Sequence, residues 1–266
     1  MNILTEIIAH KIQEVAANKS SRSIRQLEAS PFFQAPVISL AEFVQRADKS
    51  GIIAEFKRKS PSRGMINAQA DVVTTTRGYS EAGASALSIL TDKQYFGGSS
   101  EDLMAARQVN SCPILRKDFI VDEYQIIEAK SMGADAILLI AAALEPSVLS
   151  ALARVAHSLG LEVLLEVHSK QELEATASVE ADLIGVNNRD LKTFITNLDL
   201  SRQLVESIPD SVVKVSESGI ENPKTILELR RLGYQGFLMG QNFMQQERPD
   251  LACREFIAEV RKLEHA

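Results

Sequence analysis

The chain has 266 residues, 45% of them hydrophobic, a formal net charge of −6 and two cysteines. This length and apolar content suit one large core, while the acidic balance disfavours wholesale binding to nucleic acid or anionic lipid. Cys112 and Cys253 have no second cysteine or histidine at ligand spacing, which argues against a disulfide scaffold and a zinc site. The longest apolar run, from Ala136 to Leu144, falls far short of the ~20 residues that cross a bilayer. No basic segment, apolar segment and cleavage site open the chain, so a cytoplasmic location with no membrane partner is expected.

The segment before the first strand reads as helical. Ile3, Ile7, Ile8, Ile12 and Val15 recur at helical spacing, and Ser39 with Glu42 three residues on reads as a capping box opening a short helix through Phe43 toward Asp48. Beyond it, eight short apolar runs end in polar or charged residues, each followed by an amphipathic stretch. The expected strands are Ile52 to Phe56, Ala86 to Leu90, Ile114 to Lys117, Ala136 to Ile140, Val163 to Val167, Leu183 to Asn187, Val212 to Ser216 and Gly236 to Met239. In three units the intervening helix closes on a glycine, at Gly83, Gly133 and Gly233, where a left-handed residue returns the chain to the next strand. Strict alternation implies parallel strands. An open doubly wound sheet shares that alternation, but no dinucleotide fingerprint or phosphate loop is present, and a solenoid would show a shared consensus. The expected fold is α/β, a (β/α)8 TIM barrel forming a single domain over residues 1–266, with 1–48 as an amino-terminal helical extension.

In such barrels chemistry sits at the carboxyl ends of the strands. Side chains alternate along a strand, so Ile53, Glu55 and Lys57 share one face, Lys117 shares a face with Leu115, and Glu166 with Leu164. Two lysines and two glutamates then converge from three strands, a set that can donate a proton, accept one and hold an anion. The alternative is an ion-pair plug at the barrel end. Asn187 points inward after the sixth strand, and the planar fork of Arg189 suits a carboxylate, unless it pairs with Asp190 in its own loop. Ser218, Gly219, Gly240 and Gln241, in the loops after strands seven and eight, are candidates for a phosphate site. The segment Arg58 to Met65, with Ser60-Pro-Ser-Arg-Gly64, reads as a lid or as a solvated loop. Phe96, Phe119, Leu138 and Phe194 are candidates for a flat apolar slot, or for plain core.

These residues carry a resemblance. Ile53 to Gly64, Leu87-Ser-Ile-Leu-Thr-Asp with Tyr95-Phe-Gly-Gly, Leu115-Arg-Lys-Asp-Phe, Leu164-Leu-Glu-Val-His, Ile184-Gly-Val-Asn-Asn-Arg-Asp-Leu and Ser216-Glu-Ser-Gly-Ile occur in this order, and the chain resembles the indole-3-glycerol phosphate synthases over nearly its whole length. The resemblance implies ring closure of 1-(2-carboxyphenylamino)-1-deoxyribulose 5-phosphate with loss of carbon dioxide and water, and no metal or organic cofactor. It implies that Lys117 protonates the substrate ketone, that Lys57 holds the carboxylate and assists as a second acid, and that Glu55 and Glu166 serve later proton removal and dehydration. Asn187, Glu217 and Ser218 match further active-site positions. Arg189 matches an anion contact, Ser60 and the glycine loops the phosphate environment, and Phe96, Phe119, Leu138 and Phe194 the anthranilate slot. Gly240-Gln241 departs from many relatives, which carry a smaller or acidic residue after the glycine. The expected partner is a small molecule bearing carboxylate and phosphate, and the protein is expected as a monomer or a dimer. A barrel like phosphoribosylanthranilate isomerase, a Schiff-base aldolase using Lys117 and a non-catalytic phosphate-ligand barrel are the rival readings.

Overall fold

The computed structural model describes residues 3–265; the expected span of 1–266 reaches beyond these, outside the described residues. Eight strands close into a barrel: β1 (Ile52–Phe56), β2 (Ala86–Leu90), β3 (Ile114–Lys117), β4 (Ala136–Ile140), β5 (Glu162–Val167), β6 (Leu183–Asn187), β7 (Val213–Glu217) and β8 (Gly236–Met239). Every neighbouring pair is parallel, and β1 pairs with both β2 and β8. The (β/α)8 barrel expected from the alternation is therefore observed. Two strands differ in extent: β5 begins one residue earlier than expected, and β7 is shifted one residue toward its carboxyl end so that it includes Glu217.

Alternation divides the apolar residues into two cores. Ile53, Leu115, Leu138, Leu164, Val215 and Leu238 face the barrel interior, whereas Ile52, Ala54, Phe56, Leu87 and Ile89 face the surrounding helices. Those helices include α4 (Val72–Ala82), α6 (Ser100–Val109), α7 (Glu123–Met132), α8 (Pro146–Ser158), α9 (Lys170–Ala175), α10 (Asp199–Leu204), α11 (Pro223–Leu232) and α13 (Pro249–Glu264). Asp71, Ser99, Asp122 and Asn222 accept backbone amides at the starts of α4, α6, α7 and α11, satisfying donors that the first turn leaves open. Gly83, Gly133 and Gly233 end three of these helices with φ of 97°, 87° and 111°, as the sequence pattern requires.

The helices that precede β1 lie at both ends of the barrel. The helix α1 (Ile3–Ser21) sends Ile3, Leu4 and Ile7 into the cavity at the carboxyl ends of the strands. Its buried stripe is Leu4, Ile7, Lys11 and Val15, while Ile12 is exposed, so a lysine occupies a place that the apolar pattern alone would not give it. A capping box closes on the short helix α2 (Ile24–Glu28), between Ser23 and Gln26. The box expected at Ser39 is only half formed. Ser39 accepts the Glu42 amide but donates its own hydroxyl to Glu162 Oε1 at 2.5 Å, and the helix α3 (Leu40–Gln45) ends before Asp48. Glu162 Oε2 also accepts the Ala41 amide, and Asp135 Oδ1 the Ile38 amide. The helix is thus held against the amino-terminal rim, where Leu40 and Val44 plug the interior core.

Candidate active site

The inward face that carries Ile53 on β1 continues to Glu55, and that of Leu115 on β3 continues to Lys117. The same alternation puts Glu166 at the end of β5 and Glu217 at the end of β7. Lys117 Nζ donates to Glu166 Oε2 at 2.7 Å and to Glu217 Oε2 at 2.9 Å. Lys57 Nζ, just beyond β1, donates to Glu55 Oε1 at 2.5 Å. The cluster thus contains three carboxylates from separate strands, one more than the face alternation had brought together. Glu217 entered the sequence reading through the resemblance alone, because its strand was drawn to end at Ser216; Val213, Val215 and Glu217 at period two were the available signal.

Two glycines make room for these carboxylates. A Cβ on Gly185 of β6 would lie 2.1 Å from Glu217 Oε1, and one on Gly240, just after β8, would lie 2.7 Å from Glu55 Oε1 and 2.8 Å from Glu55 Cβ. Both residues are glycine because an acid side chain fills the space that any larger residue would need.

Electrostatics separate the groups. Burial pushes Glu217 up, and with the Glu166 charge nearby it reaches about 7 despite the opposing pull of Lys117. Burial also works against the charge on Glu166, but Lys117 and His168 overcome it and hold that carboxyl well below its usual range. Lys117 is likewise desolvated, yet Glu166, Glu217 and Glu55 raise it and keep it an ammonium. His168, one residue past β5, has Nε2 3.3 Å from Glu166 Oε1 and Nδ1 3.5 Å from Glu172 Oε2. Burial opposes its charge, but these two carboxylates push it up to about 10. Its role was not seen in the sequence, although period-two spacing from Glu166 pointed to it.

The cavity continues from this cluster in two directions. Toward α1 it is apolar, walled by Phe96, Phe119, Leu138 and Phe194 with Leu4 and Ile7; the rings of Phe96 and Phe119 lie 5.7 Å apart. Toward the loops after β7 and β8 it is polar, bounded by Arg63, Arg189, Ser218, Gly219, Glu221, Gly240 and Gln241. Ser60 and Asn187 line the central part. All the residues singled out from the sequence therefore border one continuous opening.

Arg189 does not pair with Asp190. Its guanidinium donates to Ser62 Oγ at 3.0 Å and to Gln241 Oε1 at 3.1 Å, while Asp190 accepts the amides of Lys192 and Thr193 within its own turn. Desolvation and the nearby Arg63 both pull Arg189 down, and neither arginine has an ion-pair partner among the described residues. Two such cations facing one pocket attract an anion. The Gln241 side chain accepts from Arg189 and orients it, a contact that the sequence reading, which gave Gln241 as a phosphate candidate and as a departure from relatives, did not include. Ser62 ties the segment after β1 to the same arginine, and that segment forms a small hairpin of Lys59–Ser60 and Gly64–Met65. Ser218 has φ of 65° and Phe194 φ of 60°, conformations uncommon for residues with a Cβ and frequent where a loop is held for function.

A parallel (β/α)8 barrel with paired acids and ammonium groups at its carboxyl-terminal mouth, beside a pocket carrying two unpaired arginines, has the form of a barrel enzyme equipped for proton transfer and anion binding. The family model described as indole-3-glycerol phosphate synthase matches residues 4–256. A protein of that name from Bacteroides thetaiotaomicron is 47% identical over 259 residues, covering 97% of this chain and 99% of its own. One from Bordetella pertussis is 40% identical with the same coverage. A thiamine phosphate pyrophosphorylase from Pyrococcus furiosus aligns in structure with a TM-score of 0.59 at 18% identity, over 84% of this chain and 99% of its own, and so shares the fold. The chain belongs to the indole-3-glycerol phosphate synthase family, carboxy-lyases of tryptophan biosynthesis.

Proposed function

We propose that the chain closes the pyrrole ring of 1-(2-carboxyphenylamino)-1-deoxyribulose 5-phosphate, releasing carbon dioxide and water and giving indole-3-glycerol phosphate. The observation that carries this reading is the partly buried Lys117 ammonium, within 2.9 Å of both Glu166 and Glu217, between an apolar slot and a pocket that carries Arg63 and Arg189. The aryl ring lies against Phe96, Phe119, Leu138 and Phe194. The phosphate lies against Ser60, Arg189, Ser218, Gly219, Gly240 and Gln241, where the short helix α12 (Gln241–Met244) opens and its first amides lack intrahelical partners. The ketone then sits at Lys117.

In the first step the ring carbon bearing the carboxylate attacks the ketone carbon, and Lys117 gives a proton to the developing alkoxide, stabilising charge where it forms. Lys57 holds the carboxylate until the carbon–carbon bond to it breaks; carbon dioxide leaves and its bonding electrons restore the aromatic ring. In the second step the new hydroxyl departs as water with a proton from Lys57, which Glu55 beside it holds in place, while Glu166 takes the one proton that leaves the methylene carbon next to nitrogen as the pyrrole double bond forms. Each ammonium has a carboxylate within 2.7 Å, so each wall has a proton donor with an acceptor beside it. Asn187 Oδ1 accepts the Arg189 amide at 3.1 Å and sets the start of the arginine loop. Glu217 holds Lys117 in place, and Ser218 borders both substrate ends. The Schiff-base reading is disfavoured because an ammonium kept protonated by three glutamates is a poor nucleophile.

Incubating the purified protein with the carboxyphenylamino ribulose phosphate tests the proposal. Indole fluorescence should grow in step with carbon dioxide release; an absence of both would refute it.

A further inference from the structure

Lys11 on α1 is fully buried, with its ammonium 2.8 Å from Glu14, 2.9 Å from Asp92 and 3.0 Å from Asp118. A lysine that only filled space there would be replaceable by an apolar residue of similar volume, since burying the charge carries a heavy desolvation cost. Its carboxylate partners show what the charge does. Asp92 Oδ1 accepts the amides of Tyr95 and Phe96 at 2.8 and 3.3 Å and opens the short turn α5 (Lys93–Phe96). Asp118 Oδ1 accepts the Phe119 amide at 2.8 Å, and its Oδ2 is held by Thr91 and Arg116. One ammonium is thus a single carboxylate away from each of the two phenylalanines whose rings face each other at 5.7 Å. On the same face of α1, Leu4 and Ile7 reach the wall of that slot.

We propose that Lys11 is a positioning residue for the apolar end of the cavity: by fixing Asp92 and Asp118 together it sets Phe96, Phe119, Leu4 and Ile7 at the spacing that accepts a flat aryl group. This inference rests on the reading of that wall as the aryl slot. The charge on Lys11 persists at neutral pH because Asp118 and Asp92 outweigh the burial that opposes it. Without the Lys11 ammonium, Asp92 would lose its ion-pair partner among the described residues and Asp118 would keep only Arg116, so the two buried carboxylates would repel and the ring-bearing segments separate.

The test measures Michaelis constants for the ring-bearing substrate, and competition by inorganic phosphate, in the full chain carrying Lys11→Met. The substrate KM should rise about tenfold while the inhibition constant of phosphate stays within about twofold, because uniform binding to the aryl end alone is lost. A purely structural role would instead reduce the amount of active enzyme and leave KM where it was. Should Lys11→Met fail to fold, Asp92→Asn keeps the cap on α5 but weakens the ion pair, and its KM should rise about threefold. Phe96→Ala is the control for the slot. If it raises KM while the folded Lys11 or Asp92 variant does not, the inference is wrong and the slot reading stands. If Phe96→Ala leaves KM unchanged, the slot reading fails and the inference fails with it.

Discussion

Glu217 is where burial and charge compete most directly. Its carboxyl stands at about 7 against an ordinary 4.5, so the native state binds this proton more tightly than the unfolded chain. The stability it contributes is fully present below pH 4.5 and is lost as pH rises through about 7. Denaturant unfolding across that interval should therefore show a shallower decline in Glu217→Gln than in the parent; equal slopes would mean that Glu217 does not titrate there. Arg189 makes a different prediction. If Arg189 is the anion clamp proposed above, Arg189→Ala should raise KM roughly tenfold or more with a smaller change in kcat, and steady-state kinetics showing an unchanged KM would remove it from the site. Both residues were named from sequence, but only Arg189 through its own chemistry. The sequence does not say that Glu217 rather than Glu166 is the carboxyl pushed up, because that depends on which charges, Lys117 and His168 among them, close over each strand end.

Among the elements, the strand ends carry the charged groups, and a glycine opposite Glu217 and another opposite Glu55 make room for two of the three carboxylates. Gly185→Ala would place a methyl group 2.1 Å from Glu217 Oε1, so the carboxylate must swing away from Lys117. The expected cost is about 1–3 kcal/mol in stability and a fall in kcat of about 10², read by thermal unfolding and turnover; a variant with parental kcat would show that the Glu217 contact to Lys117 is dispensable. Most element positions were legible because periodicity and punctuation agreed: the inward set of Ile53, Leu115 and Leu164 alternates cleanly, and the helix-ending glycines at 83, 133 and 233 have the left-handed φ expected of them. What was not legible came from tertiary partners. Ser39 makes its half of a capping box by accepting the Glu42 amide, but among the described residues the Glu42 side chain does not return a bond to the Ser39 amide, and the Ser39 hydroxyl instead ties the helix to Glu162, distant in sequence. Lys11 interrupts an apolar stripe for the sake of two aspartates in other loops.

For the whole molecule, the two rims divide the labour. At the amino-terminal rim, carboxylates are consumed in holding structure, as when Asp135 receives Arg107, the Ile38 amide and the Ile114 amide. At the opposite rim Arg63 and Arg189 remain without ion-pair partners among the described residues, so a chain of net charge −6 still presents a cationic pocket. Binding there should weaken with salt: the substrate KM should rise as ionic strength increases from about 0.01 to 0.15 M, over which the Debye length falls from about 30 to 8 Å, and a flat response would argue against an electrostatic phosphate site. In the proposed reaction Lys117, held charged by its glutamates, delivers the proton that lets the ring close. Single-turnover indole fluorescence with folded Lys117→Ala and the parent, each saturated with the carboxyphenylamino ribulose phosphate, measures that step. The rate in the variant should be lower by about 10² to 10⁴; a rate within a few-fold of the parent would rule out Lys117 as the proton donor.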